Sequence, residues 1–372
     1  MAAQLKDFYN AEIVAGIAAR IRTIHPAFPH KDFTAEVMAA LPFLELMDRA
    51  KTIAASLRRH LPQDYPAALD ILLRSIGLDD GVKTEMEAMS GFRHLPFLNF
   101  VGAYGLDHPE LSLAALNRMT RFFSAEFDIR YYLLHHYDLT MAAIRDWVTD
   151  EDWRVRRLCS EGLRPRLPWG LRLKSFIADP APVLEIIETL RADPNENVRR
   201  SVANNLNDIA KDHPNIAIAI AQRWLKEDRE STLDTVRHGL RSLVKKGDVR
   251  ALQLLGFDHA VPVSARAFRI AAERYRVGDA VQFTVTLTND GKKAATLSVG
   301  YTIHWCDARG KQRPKVFKLS NPRLGPGESI VLEKRHSLKP ITTRRYYAGL
   351  HGVEILVNGK SLARGEFRLD VA

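Results

Sequence analysis

The chain has 372 residues, two cysteines and a formal net charge of +10. Its length predicts two or three domains, and two cysteines as far apart as Cys159 and Cys306 exclude a disulfide framework or a Cys-x-x-Cys metal site. The opening Met1-Ala-Ala-Gln-Leu-Lys-Asp-Phe lacks the basic-then-apolar plan of a signal peptide, and no apolar run approaches the ~18 residues of a membrane span, so a reducing cytoplasm is the expected compartment.

From the N-terminus, residues 5–24, 32–41, 44–61 and 67–76 are apolar at helical spacing. His25-Pro26, Phe28-Pro29, Leu61-Pro62 and Tyr65-Pro66 punctuate them. Residues 78–93 are polar with two glycines and predict a loop. The helical pattern resumes over 95–104 and 110–123.

A repeat follows. Val155-Arg156-Arg157 recurs as Val198-Arg199-Arg200 and as Val236-Arg237-His238, 43 and 38 residues apart, close to the ~40–47 residues of HEAT units. Each follows an acidic start at Asp152, Asp193 or Asp234, and Ile129-Arg130 reads as an earlier, shorter copy. Stacked helix pairs of this kind build a curved solenoid with a concave binding surface. Arg156, Arg199 and Arg200 read as repeat arginines bonded to a neighbouring loop, and Trp153 as core. On the helix predicted after Asp152, Arg157, Glu161 and Arg164 fall within roughly 60° of one another at ~100° per residue. That face is separate from the apolar one of Val155, Cys159 and Gly162. Pro165 and Pro168 end the helix and present Trp169 beyond it. A carboxylate between two guanidinium groups beside a large aromatic suits a flat, cationic, phosphate-linked ligand.

After Phe257-Asp258-His259 the period changes to two. Residues 281–288, 295–303, 316–319, 330–334, 352–357 and 361–369 alternate as short strands. Asn289-Asp-Gly291, Gly325-Pro-Gly327 and Asn358-Gly359 supply turns. About seven strands at this spacing predict an immunoglobulin-like sandwich. Residues 261–372 hold 20 Lys and Arg against 9 Asp and Glu, so the whole basic excess lies there and would attract a polyanion. The predicted fold is therefore an all-α HEAT-like solenoid over residues 1–258, followed by an all-β immunoglobulin-like sandwich over 259–372.

Three blocks together resemble a known family. They are Phe123-Ser-Ala-Glu-Phe-Asp-Ile-Arg130, Ser160-Glu-Gly-Leu-Arg-Pro-Arg-Leu-Pro-Trp169 and Asn204-Asn-Leu-Asn-Asp-Ile-Ala-Lys-Asp-His-Pro214. With the terminal sandwich, they are similar to the AlkC branch of the HEAT-like DNA glycosylases over nearly the whole chain. The resemblance implies excision of cationic N3-methylated bases such as 3-methyladenine from double-stranded DNA, in base excision repair. It also implies that the base is not swung into a pocket, unlike the usual flipping logic. Such a base already weakens its bond to C1′ and leaves neutral. The enzyme must supply negative charge near the developing sugar cation, and a positioned water.

The residues matching the family's motifs are Glu126, Glu161, Asp208 and Trp169, expected as catalytic. Each also has a plainer role. Glu161 can pair with Arg157 and Arg164 on a surface, and Glu126 can favour a helix dipole after Ser124. Asp208 can sit on a solvated face with Ser201 and Asn204, and Trp169 can be a core residue pinned by Pro168. Arg157, Arg164 and Arg166 are candidates for phosphates flanking the lesion. On the sandwich, Arg344, Arg345 and Tyr346 lie in one basic-aromatic loop, and Lys311 and Arg313 in another. Either loop can enter a minor groove or guard an edge strand with charge. His135, His136 and Asp138 make an improbable metal site, because the two histidines diverge on one helix. No cofactor is implied, and a monomer is expected. Lys211 is the lone lysine in the three blocks, which argues against a Schiff-base lyase step. The alternative is a scaffold of the same architecture that binds DNA or protein without chemistry.

Overall fold

The computed structural model describes residues 5–77, 90–341 and 344–371; the loop expected over 78–93 falls mostly outside them. The chain packs as two compact units, Met1–Ile209 and Ala210–Ala372. Sixteen α-helices among the described residues precede ten strands. The last of these helices ends at Leu254 and the first strand begins at Val263.

Most helices of the first unit bury one stripe, while Leu95–Tyr104 is buried on all sides over residues 95–102. Val14, Ile17 and Ile21 of helix Ala11–Ile24 are buried, as are Ile53 and Leu57 of Leu46–His60. The single helix expected over 5–24 is interrupted, because the Asn10 side chain caps a new start by accepting from Ile13 N at 3.1 Å. The helix expected over 110–123 runs from Pro109 to Met119. Helix Trp153–Glu161 begins at its predicted cap, where Asp152 accepts from Arg154 N at 2.8 Å. It stops at Glu161, earlier than the prolines alone predicted, with Gly162 at its C-cap. A Cβ on Gly162 would come within 2.8 Å of the Ile129 Cγ2, so helix Ile129–His135 packs too closely there for a side chain.

The repeat arginines behave as expected of two of them. Arg156 makes a two-pronged pair with Asp193 at 2.6 and 3.0 Å and donates to Asp150 O and Glu151 O. Arg199 donates to Asp193 O and Pro194 O, while Arg200 is exposed. Trp153, expected in the core, is half-buried, with the Arg154 guanidinium 5.0 Å from its ring centroid.

In the second unit, helices Pro214–Glu227, Arg229–Gly239, Arg241–Lys245 and Val249–Leu254 lead into the sandwich. The strands are β1 (Val263–Ile270), β2 (Arg274–Arg276), β3 (Ala280–Asn289), β4 (Ala295–Thr296), β5 (Val299–Cys306), β6 (Gln312–Ser320), β7 (Arg323–Leu324), β8 (Ser329–Ser337), β9 (Gly349–Val357) and β10 (Lys360–Asp370). One sheet orders β1-β3-β8 and the other β2-β10-β9-β5-β6, with a small β4-β7 pair. All pairings are antiparallel except β10 with β2. Val281, Phe283, Val285 and Leu287 of β3 meet Tyr301, Ile303, Val353, Ile355 and Phe367 in the core. The single strand expected over 295–303 is two strands. β1 escaped the sequence reading because Val-Ser-Ala-Arg-Ala-Phe-Arg-Ile buries no residue fully. Asn358 and Gly359 both take positive φ, as their hairpin turn requires.

Candidate active site

The site is assembled by helix Trp153–Glu161, the turn before helix Ile129–His135, the loop 162–173 and helix Glu196–Asp212. Glu161 is its hub and is only 4% exposed. Its Oε1 accepts from Arg164 Nη1 at 2.6 Å, and its Oε2 from the Ser201 hydroxyl at 2.6 Å. Arg157 Nη2 lies 3.9 Å from the same Oε1. Burial pushes the Glu161 pKa up, but the Arg157 and Arg164 guanidiniums and the Ser201 hydroxyl outweigh it, so the carboxyl lies below its ordinary value. The surface ion pair open to Glu161 from sequence is thus a buried one.

Arg164 also donates from Nε to Asp208 Oδ2 at 2.9 Å. Asp208 is fully buried, which rules out the solvated face. Its helix presents Ser201, Asn205 and Asp208 on one side, and Asn205 Nδ2 donates to Ser160 O at 2.9 Å. Glu126 is different. It precedes helix Ile129–His135 rather than sitting in its first turn. Its Oε2 accepts from Arg157 Nη1 at 2.9 Å and from the Ser124 hydroxyl at 2.8 Å. Its Oε1 accepts from no described residue, and its side chain keeps 14% exposure. Of the three carboxylates, Glu126 alone has an oxygen in reach of a ligand.

Trp169 is 69% exposed, with φ of 63°. A left-handed bulky residue is a backbone outlier that costs on the order of 1–3 kcal/mol, and here no burial repays it. The core role is excluded. The loop explains the presentation: Leu163, Pro165, Leu167 and Leu173 are buried, while Pro168 and Trp169 are turned out. Arg166 is half-buried on the same loop. Fully buried Arg130 lies among these charges, so four arginines and three carboxylates share the first unit's site region.

Sequence reasoning named the three carboxylates, Trp169 and both flanking arginines. It missed Arg130, Ser124 and Asn205. Arg130 carried a signal, as it occupies the repeat position of Arg156.

On the sandwich, the two basic loops converge. Arg313, Lys315, Arg344, Arg345, Tyr346 and Trp305 are among the residues that line a groove of about 340 Å³. The Arg344 guanidinium lies 4.1 Å from the Trp305 ring centroid, a cation–π stack. Lys311 stays outside the lining, and Thr343 lies outside the described residues.

A helical-repeat body with a buried carboxylate–guanidinium cluster, followed by a basic immunoglobulin-like sandwich, defines the class. Residues 264–371 match the family model described as "Uncharacterised protein YhaZ, C-terminal Ig-like domain". The chain is 33% identical to the uncharacterised protein YhaZ of Bacillus subtilis (strain 168), over 96% of this chain and 97% of that one. It is also similar to the solved structure of the Pseudomonas fluorescens alkylpurine DNA glycosylase AlkC bound to DNA containing an abasic site analogue. There the identity is 36%, the TM-score 0.92, and the coverage 99% of this chain and 100% of that one. The chain belongs to the AlkC family.

Proposed function

We propose that the chain is a monofunctional DNA glycosylase that hydrolyses the N-glycosidic bond of cationic N3-methylated bases, 3-methyladenine and 3-methylcytosine, in duplex DNA. The observation that carries this reading is a partly free carboxylate, Glu126, joined through Arg157 to the buried Glu161 from which the loop of the solvent-presented Trp169 departs, on the fold of a 36% identical glycosylase. In this reading residues 1–258 carry the chemistry and 259–372 bind DNA.

The bond electrons leave with the base, which departs neutral because it was already cationic. The Glu126 carboxylate opposes the positive charge that develops at C1′ and O4′. Water adds to C1′ and loses its proton to solvent or to Glu126. Trp169 stacks on the lesion or its sugar from outside, so the base need not enter a pocket. Arg157 and Arg164 keep Glu161 ionised, and Arg157 is the better placed of the two for phosphate, because Arg164 is nearly buried between Glu161 and Asp208. The sandwich groove grips the backbone or minor groove through Arg313, Arg344, Arg345 and Tyr346.

The test is release of free base from N3-methylated duplex DNA by the wild-type chain. Release supports the reading. Tight, salt-sensitive binding with no release moves the chain to the non-catalytic scaffold.

A further inference from the structure

Arg130 is a fully buried cation that the chemistry above does not use. Its Nη1 donates to Gly162 O at 2.7 Å and its Nε to Leu171 O at 2.6 Å. Its third nitrogen, Nη2, is buried without an acceptor. Gly162 and Leu171 are the two ends of the loop that carries Trp169. Gly162 O is one of the carbonyls that a helix end leaves without an intrahelical partner.

The loop's own bonds are long. Arg164 N to Glu161 O, Gly170 N to Leu167 O and Leu173 N to Pro165 O are all 3.3 Å, at the weak end of the N–H···O range. The two Arg130 bonds are short and charge-assisted, roughly twice as strong as neutral ones. A guanidinium fork reaches two carbonyls in different places, which the point charge of a lysine does not. The arrangement is costly: burial pushes the Arg130 pKa down to about 10, helped by Arg164 and opposed by Glu126, Asp208 and Glu161. An apolar side chain would fill the same space without that cost, so packing alone does not account for an arginine here.

We infer that Arg130 is a positioning residue, which clamps both ends of the loop 162–171 and so holds Trp169 in its left-handed, outward conformation without touching substrate. The catalytic consequence rests on the glycosylase reading; the clamp itself does not.

The experiment uses the full chain labelled with 5-fluorotryptophan, with the Trp169 resonance assigned through Trp169→Phe. Arg130→Lys and Arg130→Gln are compared with wild type by fluorine NMR, by single-turnover base release and by duplex affinity. The expected result is a shifted or broadened Trp169 line with the other tryptophan lines in place. Base release should fall by about tenfold to a hundredfold, with affinity within about threefold. A Trp169 line unmoved in both variants overturns the proposal, whatever the rate does. Should neither variant fold, the wild-type spectrum decides: one narrow Trp169 line supports the clamp, and several exchanging lines overturn it. If wild type releases no base, the glycosylase reading fails, while the NMR comparison still judges the clamp.

Discussion

Exchanging each glutamate for its amide separates the two acids of the site. In Glu126→Gln, the amide oxygen still accepts from Arg157 and Ser124, and Arg157 keeps Glu161 at 3.9 Å. The side chain is partly solvated, so the loss of charge should cost only about 1 kcal/mol of stability. In the proposed mechanism its free oxygen faces the sugar cation, and removing that electrostatic contribution should slow single-turnover base release by about a hundredfold to a thousandfold. In Glu161→Gln, the oxygen keeps Arg164 and the amide can donate to the Ser201 hydroxyl, so the geometry survives. The charge does not, and Arg164 is left with Asp208 alone. Breaking a buried pair outright costs about 3–5 kcal/mol; with one partner kept, about 2–3 kcal/mol is expected. The assay pairs chemical denaturation followed by the helical circular dichroism signal with base release under enzyme excess. A Glu126→Gln variant that keeps wild-type rate, beside a fully stable Glu161→Gln variant that loses it, would refute the ranking by exposure and bonding.

Acid unfolding should report Glu161 directly. Its folded pKa lies below the ordinary value of 4.5, so its contribution is complete above that value and is lost as pH falls through the folded one; Glu161→Gln should flatten this acid limb of the stability curve. Asp128 runs the other way, because burial pushes its pKa up to about 7 against the hydrogen bond from Asn99 and the Lys51 charge. The folded state then holds the extra proton, so stability declines as pH rises from about 4 to 7. Asp128→Asn should recover on the order of 2–4 kcal/mol at pH 8 and little below pH 4, measured by denaturation at both pH values. Trp169→Gly relieves a positive φ and should gain about 1 kcal/mol of stability. It should still lose about tenfold or more in base release, in keeping with ~1–3 kcal/mol for a base–aromatic stack; unchanged release would remove the indole from the mechanism. Arg344→Ala should weaken duplex binding across sequences and lower the salt slope by about 1, read from a salt titration of affinity.

The periodic parts of the fold were legible because one physical rule governs them. Helix stripes and alternating strands bury one face, and Asp152, Asn289 and Asn358 mark caps and turns through local hydrogen bonds or local backbone geometry. What sequence could not show was burial of charge. Asp208 beside Asn204 has the polarity of a solvated face, and the ion pair with Arg164 helps make its burial tolerable. For Trp169 the sequence left two roles open, a presented ring and a core ring, and its exposure with a left-handed backbone excludes the core. β1 hid because its polar alternation buries no side chain fully.

The arrangement also explains why a protein with a basic surplus keeps three carboxylates together. Crowded alone, three acids would raise one another's pKa values and take up protons. Arg157 and Arg164 reverse this for Glu161, and each is shared between two acids. The arginines thus hold Glu161 ionised, and the Glu126 oxygen that Arg157 and Ser124 leave alone stays outside every hydrogen bond among the described residues. A cation brought to that oxygen would meet the negative end of the Glu126–Arg157 pair at short range, while phosphates farther out would meet a region close to neutral. The basic excess is confined to residues 261–372, so long-range attraction to a polyanion and short-range attraction to a cation within it need not oppose each other. A glycosylase for cationic lesions needs both. Adding one positive charge beside Glu126, as in Ser124→Lys, would therefore cost base release far more than it changes duplex affinity.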